Sequence, residues 1–394
     1  MTSIAHEMAH WATQLAPQPD DLALADRALV DTVAVAVAAR THPVLHTAAD
    51  LPDAAHWAIA GHVLDFDDLH MQSTAHISVV CVPAVLAVGG DAHGYLAAAG
   101  VMARLGTALG WPHYSAGWHT TCTAGSPAAA VGAGVALGLN ADQLATAMAL
   151  AVPAAGGVQR AFGTDAKSLQ VGFAVAAGVR AARLAAAGAT ADWGAVDAWF
   201  QLVHGDPLGV HVDGPAVPGG LAIKLYPCCY ALQRPISALA DLARGLDPAS
   251  VTRVVLRTPK ATVTPLIHHR PRTGLQAKFS IEYAAAAALL DAHQGFASFT
   301  DEAVHRAPVQ RLIDLVEVEL TDGGDWLLAG ELEAEVHAGG QVRRASLQFP
   351  PGSPERPPTD AELAGKLNDC LAGTDLHPEA LTWASAAAIL RRWC

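Results

Sequence analysis

Up to about residue 220 the chain repeats one pattern, apolar positions three and four apart with polar residues between them, which predicts helix after helix. "ADRALVDTVAVAVAAR" shows it and ends on a basic residue, as a helix C-terminus prefers. "NADQLATAMALAVPAA" opens on Asn140 as an N-cap, with Gln143 three residues on, the spacing of a capping box. Near residue 220 the period changes. "SVTRVVLRTP", "DLVEVELTD" and "ELEAEVHAGGQVRRASLQF" alternate β-branched and polar residues between turn residues, the pattern of short strands. "AKFSIEYAAAAALLDAHQG" is a helix inserted among them, and after the proline-rich "PPGSPERPPTD" the chain returns to helix. The expected fold is mainly α. A large all-helical domain covers residues 1–220, a smaller α+β domain 221–349, and residues 350–394 return to the first domain.

Composition sharpens this. Of 394 residues, 52% are hydrophobic and 15% charged, enough for a large core. Alanine dominates, and alanine is the best helix former. The net charge of −13 argues against a general basic face for nucleic acid. The N-terminus has no signal-peptide pattern, and Gly, Pro, His or Asp interrupt every apolar stretch before about 18 residues. A cytoplasmic protein without a membrane segment is expected. The six cysteines show no CxxC spacing, and Cys228 and Cys229 are adjacent. That weakens any disulfide, zinc or iron–sulfur reading, so neither metal nor cofactor is expected.

The chemistry concentrates in a few places. "GHVLDFDDLHMQSTAHIS", residues 61–78, gathers three aspartates and three histidines before an apolar run. Taken as a helix, it sets Asp65 and Asp68 on one face with Leu69 beside Asp65, and leaves His76 past the helix end. A carboxylate beside an imidazole suits proton transfer; a cap or a surface acidic cluster is the plainer alternative. His119 in "GWHTTCTAG" stands among hydroxyls and glycines, as a structural histidine also does. Lys167 opens an almost wholly apolar helix, where a cation opposes the helix dipole. An anionic ligand explains it, and so does simple exposure. Lys224 in "IKLYPCCYALQRPISAL" lies where the two textures meet. Tyr283 in "AKFSIEYAAAA" is a candidate that also reads as core.

In this order the motifs resemble the MmgE/PrpD family, whose members include 2-methylcitrate dehydratases, cis-aconitate decarboxylase and iminodisuccinate epimerase. The resemblance runs from "DRALVDTVAVAVAA" through "HVLDFDDLH…AHIS", "GWHTTCTAGSPAAAVGAGVALGL" and "DAKSLQVGFAVAAGVRAARLAAAG" to "FPPGSPERPPTDAELAGKLNDC". It implies a helical domain with an α+β lid, a homodimer, and lyase chemistry on a small di- or tricarboxylate without metal or organic cofactor. Carried over, its catalytic positions are Asp65, His76, His119, Lys167, Lys224 and Tyr283. The two lysines would hold carboxylates, and the histidines, His76 oriented by Asp65, would move the proton. Leu69 stands where some members have Thr, Cys229 where the decarboxylase has His, and Gln170 where related members often have His. Those three are the candidate substrate-binding positions. The nearest expectation is a 2-methylcitrate dehydratase-like reaction. Decarboxylation, epimerisation, and a non-catalytic binding protein on the same fold are the alternatives.

Overall fold

The structure, a computed structural model, describes residues 3–291 and 293–394. The protein is mainly α with one small four-stranded sheet. Its contacts divide it into two units. One comprises the chain up to Arg160, Asp165–Ala222 and Ala364–Cys394; the other comprises Ala161–Thr164 and Ile223–Leu363.

In the helical unit, the predicted cap at Asn140 forms as read. Gln143 N–H donates to Asn140 Oδ1 at 3.0 Å, and Asn140 N–H donates to Gln143 Oε1 at 3.1 Å. The helix Ala166–Ala186 is the centre of this unit, packed against Asp53–Val63, Gly125–Ala136 and Ala141–Ala151. Small residues let these backbones approach. A Cβ on Gly178 would stand 2.6 Å from both the Ser126 carbonyl oxygen and the Ala129 Cβ. Among the described residues this is the one helix long and apolar enough to cross a membrane. Here it is a core helix, with Val171, Val175 and Ala182 inaccessible.

The other unit carries the sheet, in the order β2-β1-β3-β4. Strand β1 (Val251–Pro259) runs parallel to β2 (Val316–Thr321) and antiparallel to β3 (Leu332–Ala338), and β4 (Gln341–Leu347) pairs antiparallel with β3. The alternation read from the sequence sorts the faces. Val254, Leu256, Ala334 and Val336 are buried. The opposite face carries the cross-strand pairs Arg253–Glu317 at 2.6 Å, Arg257–Glu319 at 2.7 Å and Arg344–Glu335 at 2.6 Å. Gly339 and Gly340, at φ 56° and 75°, close the β3–β4 hairpin with the two left-handed residues that a twist-matched turn needs. The helix Gln233–Ala243 packs on β3 and β4 and against the helix Ile281–Leu290.

Candidate active site

The helix expected to carry Asp65, Asp68 and Leu69 ends before reaching them. The helix Asp53–Val63 stops there, and the chain turns until the helix Ser78–Leu86 begins. Asp65 takes φ 54°, left-handed backbone that breaks the helix and that aspartate tolerates better than most residues. Distant partners hold it. Lys366 is buried, 2.6 Å from Asp31 Oδ1, and donates to the Phe66 carbonyl at 2.8 Å, with its ammonium 4.3 Å from the centre of the Phe66 ring. Leu69 exchanges backbone hydrogen bonds with Ala222.

Each aspartate then has its own task. Asp68 is buried and holds the start of the helix Ser78–Leu86. It accepts from the Ser78 N–H at 3.2 Å and from the Ser78 hydroxyl, which also meets the Tyr95 hydroxyl at 2.8 Å. Burial pushes its carboxyl up to about 7, against the Ser78 hydrogen bonds. Asp65 pairs with Lys167 at 3.1 Å. Asp67, wholly buried, lies between two histidines. His62 Nδ1 is 2.7 Å from Asp67 Oδ2, and His76 Nδ1 is 3.1 Å from the same oxygen.

The protons in this chain follow from the donors. Lys167 has only N–H bonds to give, so His62 Nε2, 2.8 Å from its Nζ, accepts. The His62 proton therefore sits on Nδ1 and points at Asp67. Burial holds the His62 imidazole neutral, down at about 4, outweighing the pull of Asp67. Burial alone would raise the Asp67 carboxyl, but His62 and His76 together keep it well below the usual range, so it is a carboxylate. The Asp67 carboxylate 3.1 Å from Nδ1 of His76 is a charge contact rather than an aligned hydrogen bond, and its charge favours the proton on that nitrogen, with Nε2 as the basic one. The His76 backbone is pinned by its N–H to Thr121 Oγ1 at 3.1 Å.

His119 completes the group, its ring stacked 5.7 Å from that of His62. Its Nδ1 lies 2.8 Å from Gln170 Nε2 and 3.3 Å from Cys122 Sγ. Burial, then the neighbouring His62, Lys167 and His76, hold it well below the ordinary histidine value, with Asp65 opposing. Lys167 and Gln170 stand three apart at the start of the helix Ala166–Ala186, so one turn serves both His62 and His119. The group is almost closed to solvent; His76 at 7% and Lys167 at 6% exposure are its most accessible titratable members.

His62, Asp67 and His76 are also near enough to be weighed as metal ligands, their donor atoms lying within 4.8 Å of one another. An ion among them would have to displace the His62 Nδ1 proton directed at Asp67, and would sit one imidazole away from the Lys167 ammonium. The arrangement fits proton sharing better than metal ligation.

Lys224, Cys229 and Tyr283 belong to the other unit. Lys224 is inaccessible, and the turn after it is braced by Gln233 Oε1, which accepts from the Leu225 and Tyr226 N–H groups at 3.1 Å each. Cys229 is buried, its N–H on the Lys278 carbonyl at 3.0 Å. Tyr283 is inaccessible and donates its hydroxyl to the Ser298 carbonyl, while burial pushes its phenol up to about 12. In this placement its ring lies in the core and its hydroxyl is held by a backbone carbonyl. Ser280 caps its helix by accepting from the Tyr283 N–H at 3.2 Å.

Two family domains match the chain. The MmgE/PrpD N-terminal domain matches residues 49–199, and the MmgE/PrpD C-terminal domain matches residues 226–386. The chain belongs to the MmgE/PrpD family. Two cis-aconitate decarboxylases of Aspergillus terreus, the second from strain NIH 2624, are each 26% identical to it. The matches run over 357 and 356 residues, 77% of this chain and 72% of each relative. The family therefore includes enzymes.

Within this MmgE/PrpD chain the N-terminal match contains the whole cluster from His62 to Gln170, while the C-terminal match begins just past Lys224. Sequence reading assigned the orientation of His76 to Asp65. The carboxylate on His76 Nδ1 is Asp67, and Asp65 pairs with Lys167. His62 and Asp67 were overlooked as members of the site. Their signal was in the quoted motif, since His62 and Asp67 are five apart, but a spacing of five faces nothing on a helix; only the turn at Asp65 brings them together.

Proposed function

We propose that this MmgE/PrpD chain is a lyase acting on a small di- or tricarboxylate, 2-methylcitrate dehydratase-like, through proton abstraction α to a carboxylate. The observation that carries the reading is Asp67 at 3.1 Å from His76 Nδ1, which makes Nε2 of the most accessible histidine in the cluster a base. In the reaction, His76 Nε2 takes the α proton and the electron pair moves into the adjoining carboxylate as an enediolate. Lys167, an ammonium beside the histidines, and the His119 N–H stabilise that charge. The pair returns to form the double bond as the β-hydroxyl leaves, protonated, as water. The proton that turns the hydroxyl into water comes from the His119 Nε2–H while His76 holds the α proton, and exchange with solvent returns both rings to their starting state.

A second reading, decarboxylation of a cis-aconitate-like acid, is supported by the two decarboxylase relatives. It shares the cluster and differs in the bond broken, a C–C bond with loss of CO2. Offering the enzyme citrate, 2-methylcitrate, cis-aconitate and small dicarboxylates in D2O separates the possibilities. Dehydration is expected for 2-methylcitrate, with deuterium exchanged into recovered acid. CO2 and itaconate from cis-aconitate would replace the first reading by the second. Neither exchange nor turnover of any of these acids would overturn both and favour a binding protein.

A further inference from the structure

Gln170 invites a closer look, because its amide cannot be turned round. Its Oε1 accepts from the Val158 backbone N–H at 3.0 Å, and its Nε2 faces the Val158 carbonyl at 3.3 Å. Reversing the amide would set two donors against each other on one side and two acceptors on the other, and a backbone group cannot change its role to suit. The Val158 segment is itself fixed. The His119 N–H donates to the Gly157 carbonyl at 3.0 Å, the Gln159 N–H to the Gly117 carbonyl at 2.9 Å, and Trp118 bridges Val158. The group 2.8 Å from His119 Nδ1 is therefore an NH2, which has no lone pair to offer an N–H.

From this we infer that Gln170 locks His119 in the tautomer with its proton on Nε2, making His119 a neutral hydrogen-bond donor while His76 is the base. Gln170 is thus a positioning residue rather than a substrate contact. The other neighbour of Nδ1 agrees. Burial pushes the Cys122 thiol up, so it remains an S–H and adds a second donor, not an acceptor, at 3.3 Å. The groups facing His119 point the same way. His62, His76 and Lys167 around it disfavour an imidazolium, and Asp65 is the opposing charge. The two histidines are set oppositely. A carboxylate at Nδ1 makes Nε2 of His76 an acceptor, and an amide N–H at Nδ1 makes Nε2 of His119 a donor. A site so divided takes a proton at one ring and stabilises developing charge, or protonates a leaving oxygen, at the other.

The inference rests on the proposed lyase reading for its use, but not for its test, since a tautomer is visible without substrate. Nitrogen-15 spectra of the histidine rings in the intact protein, with His119 signals assigned by their loss in His119→Gln, report which nitrogen carries the proton. The wild type is expected to show Nδ1 unprotonated and Nε2 protonated. Gln170→Glu, nearly isosteric, replaces the donor by an acceptor and should reverse the two. With 2-methylcitrate as substrate the same variant should lose about 10²-fold in kcat with KM little moved, as removal of one transition-state donor does. A wild-type ring protonated on Nδ1 overturns the inference without any variant having to fold, and so does a folded Gln170→Glu protein whose His119 tautomer is unchanged. Correct tautomers in an enzyme inert toward 2-methylcitrate uphold the lock and count against the lyase reading instead.

Discussion

Asp67 organises more of the cluster than any other residue, because one oxygen receives both His62 and His76. An aspartate there is a carboxylate, acceptor on every lone pair; an asparagine must present an NH2 to one side. Asp67→Asn should free the His76 tautomer and lower kcat, and loss of a tautomer-fixing carboxylate can cost about 10⁴-fold. KM should move far less, since Asp67 is wholly buried and the charges offered to a carboxylate substrate remain. His76→Ala removes the base itself and should cost about 10²–10⁴-fold, again in kcat. Steady-state kinetics on folded variants, checked by circular dichroism, decide it. A variant that keeps its kcat would remove Asp67 or His76 from the mechanism. Lys224→Ala tests the carboxylate-holding role that the family resemblance implies for it, and a fall in kcat/KM of about 10²-fold is the expected outcome of that role. An unchanged kcat/KM would leave that buried lysine a structural group.

At the scale of elements, the helix Ala166–Ala186 joins packing to chemistry, since its first turn carries Lys167 and Gln170 and its middle touches a neighbouring backbone at Gly178. Gly178→Ala puts a methyl 2.6 Å from the Ser126 carbonyl oxygen and 2.8 Å from the Ala130 nitrogen, and backbone cannot step aside as a side chain can. The gain in helix propensity, about 1 kcal/mol, opposes an overpacking cost of about 1–3 kcal/mol. Net destabilisation is therefore expected, as a lower urea midpoint, and a more stable variant would refute it. Elements like this were legible in the sequence because their signal is local. The capping box at Asn140 and the four strands between Val251 and Leu347 formed as read, while the helix read over "AKFSIEYAAAAALLDAHQG" is confined to Ile281–Leu290, with residue 292 outside the described residues. The turn at Asp65 was not legible. Its determinants, Lys167 and Lys366, lie 102 and 300 residues along the chain from their partners, and no local period encodes such a contact. For the same reason Asp65 and Asp68 read as one helix face, although each serves a different partner.

Across the whole molecule, burial of titratable groups sets how stability responds to pH. His62, His70 and His113 are each pushed by burial from 6.5 down to about 4. A histidine whose folded pKa is depressed takes up its proton in the unfolded chain first. Its contribution to stability is therefore complete above about 6.5 and is lost as pH falls toward 4. Asp68 works the other way. Raised from 3.8 to about 7, it favours the folded chain at low pH and costs stability as pH climbs through that same window. Between pH 4 and 6.5 these three histidines, joined by His119, which is also held well below the ordinary value, oppose one aspartate. The net effect is that the unfolded chain binds more protons and stability rises with pH. Thermal unfolding followed at constant ionic strength should give a Tm that climbs from pH 4.5 to 6.5, then levels. His113 tests the attribution apart from the site. It is buried between the Val203 carbonyl at 2.6 Å and Thr123 Oγ1 at 2.8 Å, and His113→Gln keeps a group able to hydrogen-bond while removing the titration. That variant should show a shallower climb. A Tm that is flat or falls across the window would mean that Asp68, not the histidines, governs the acid side of the stability curve.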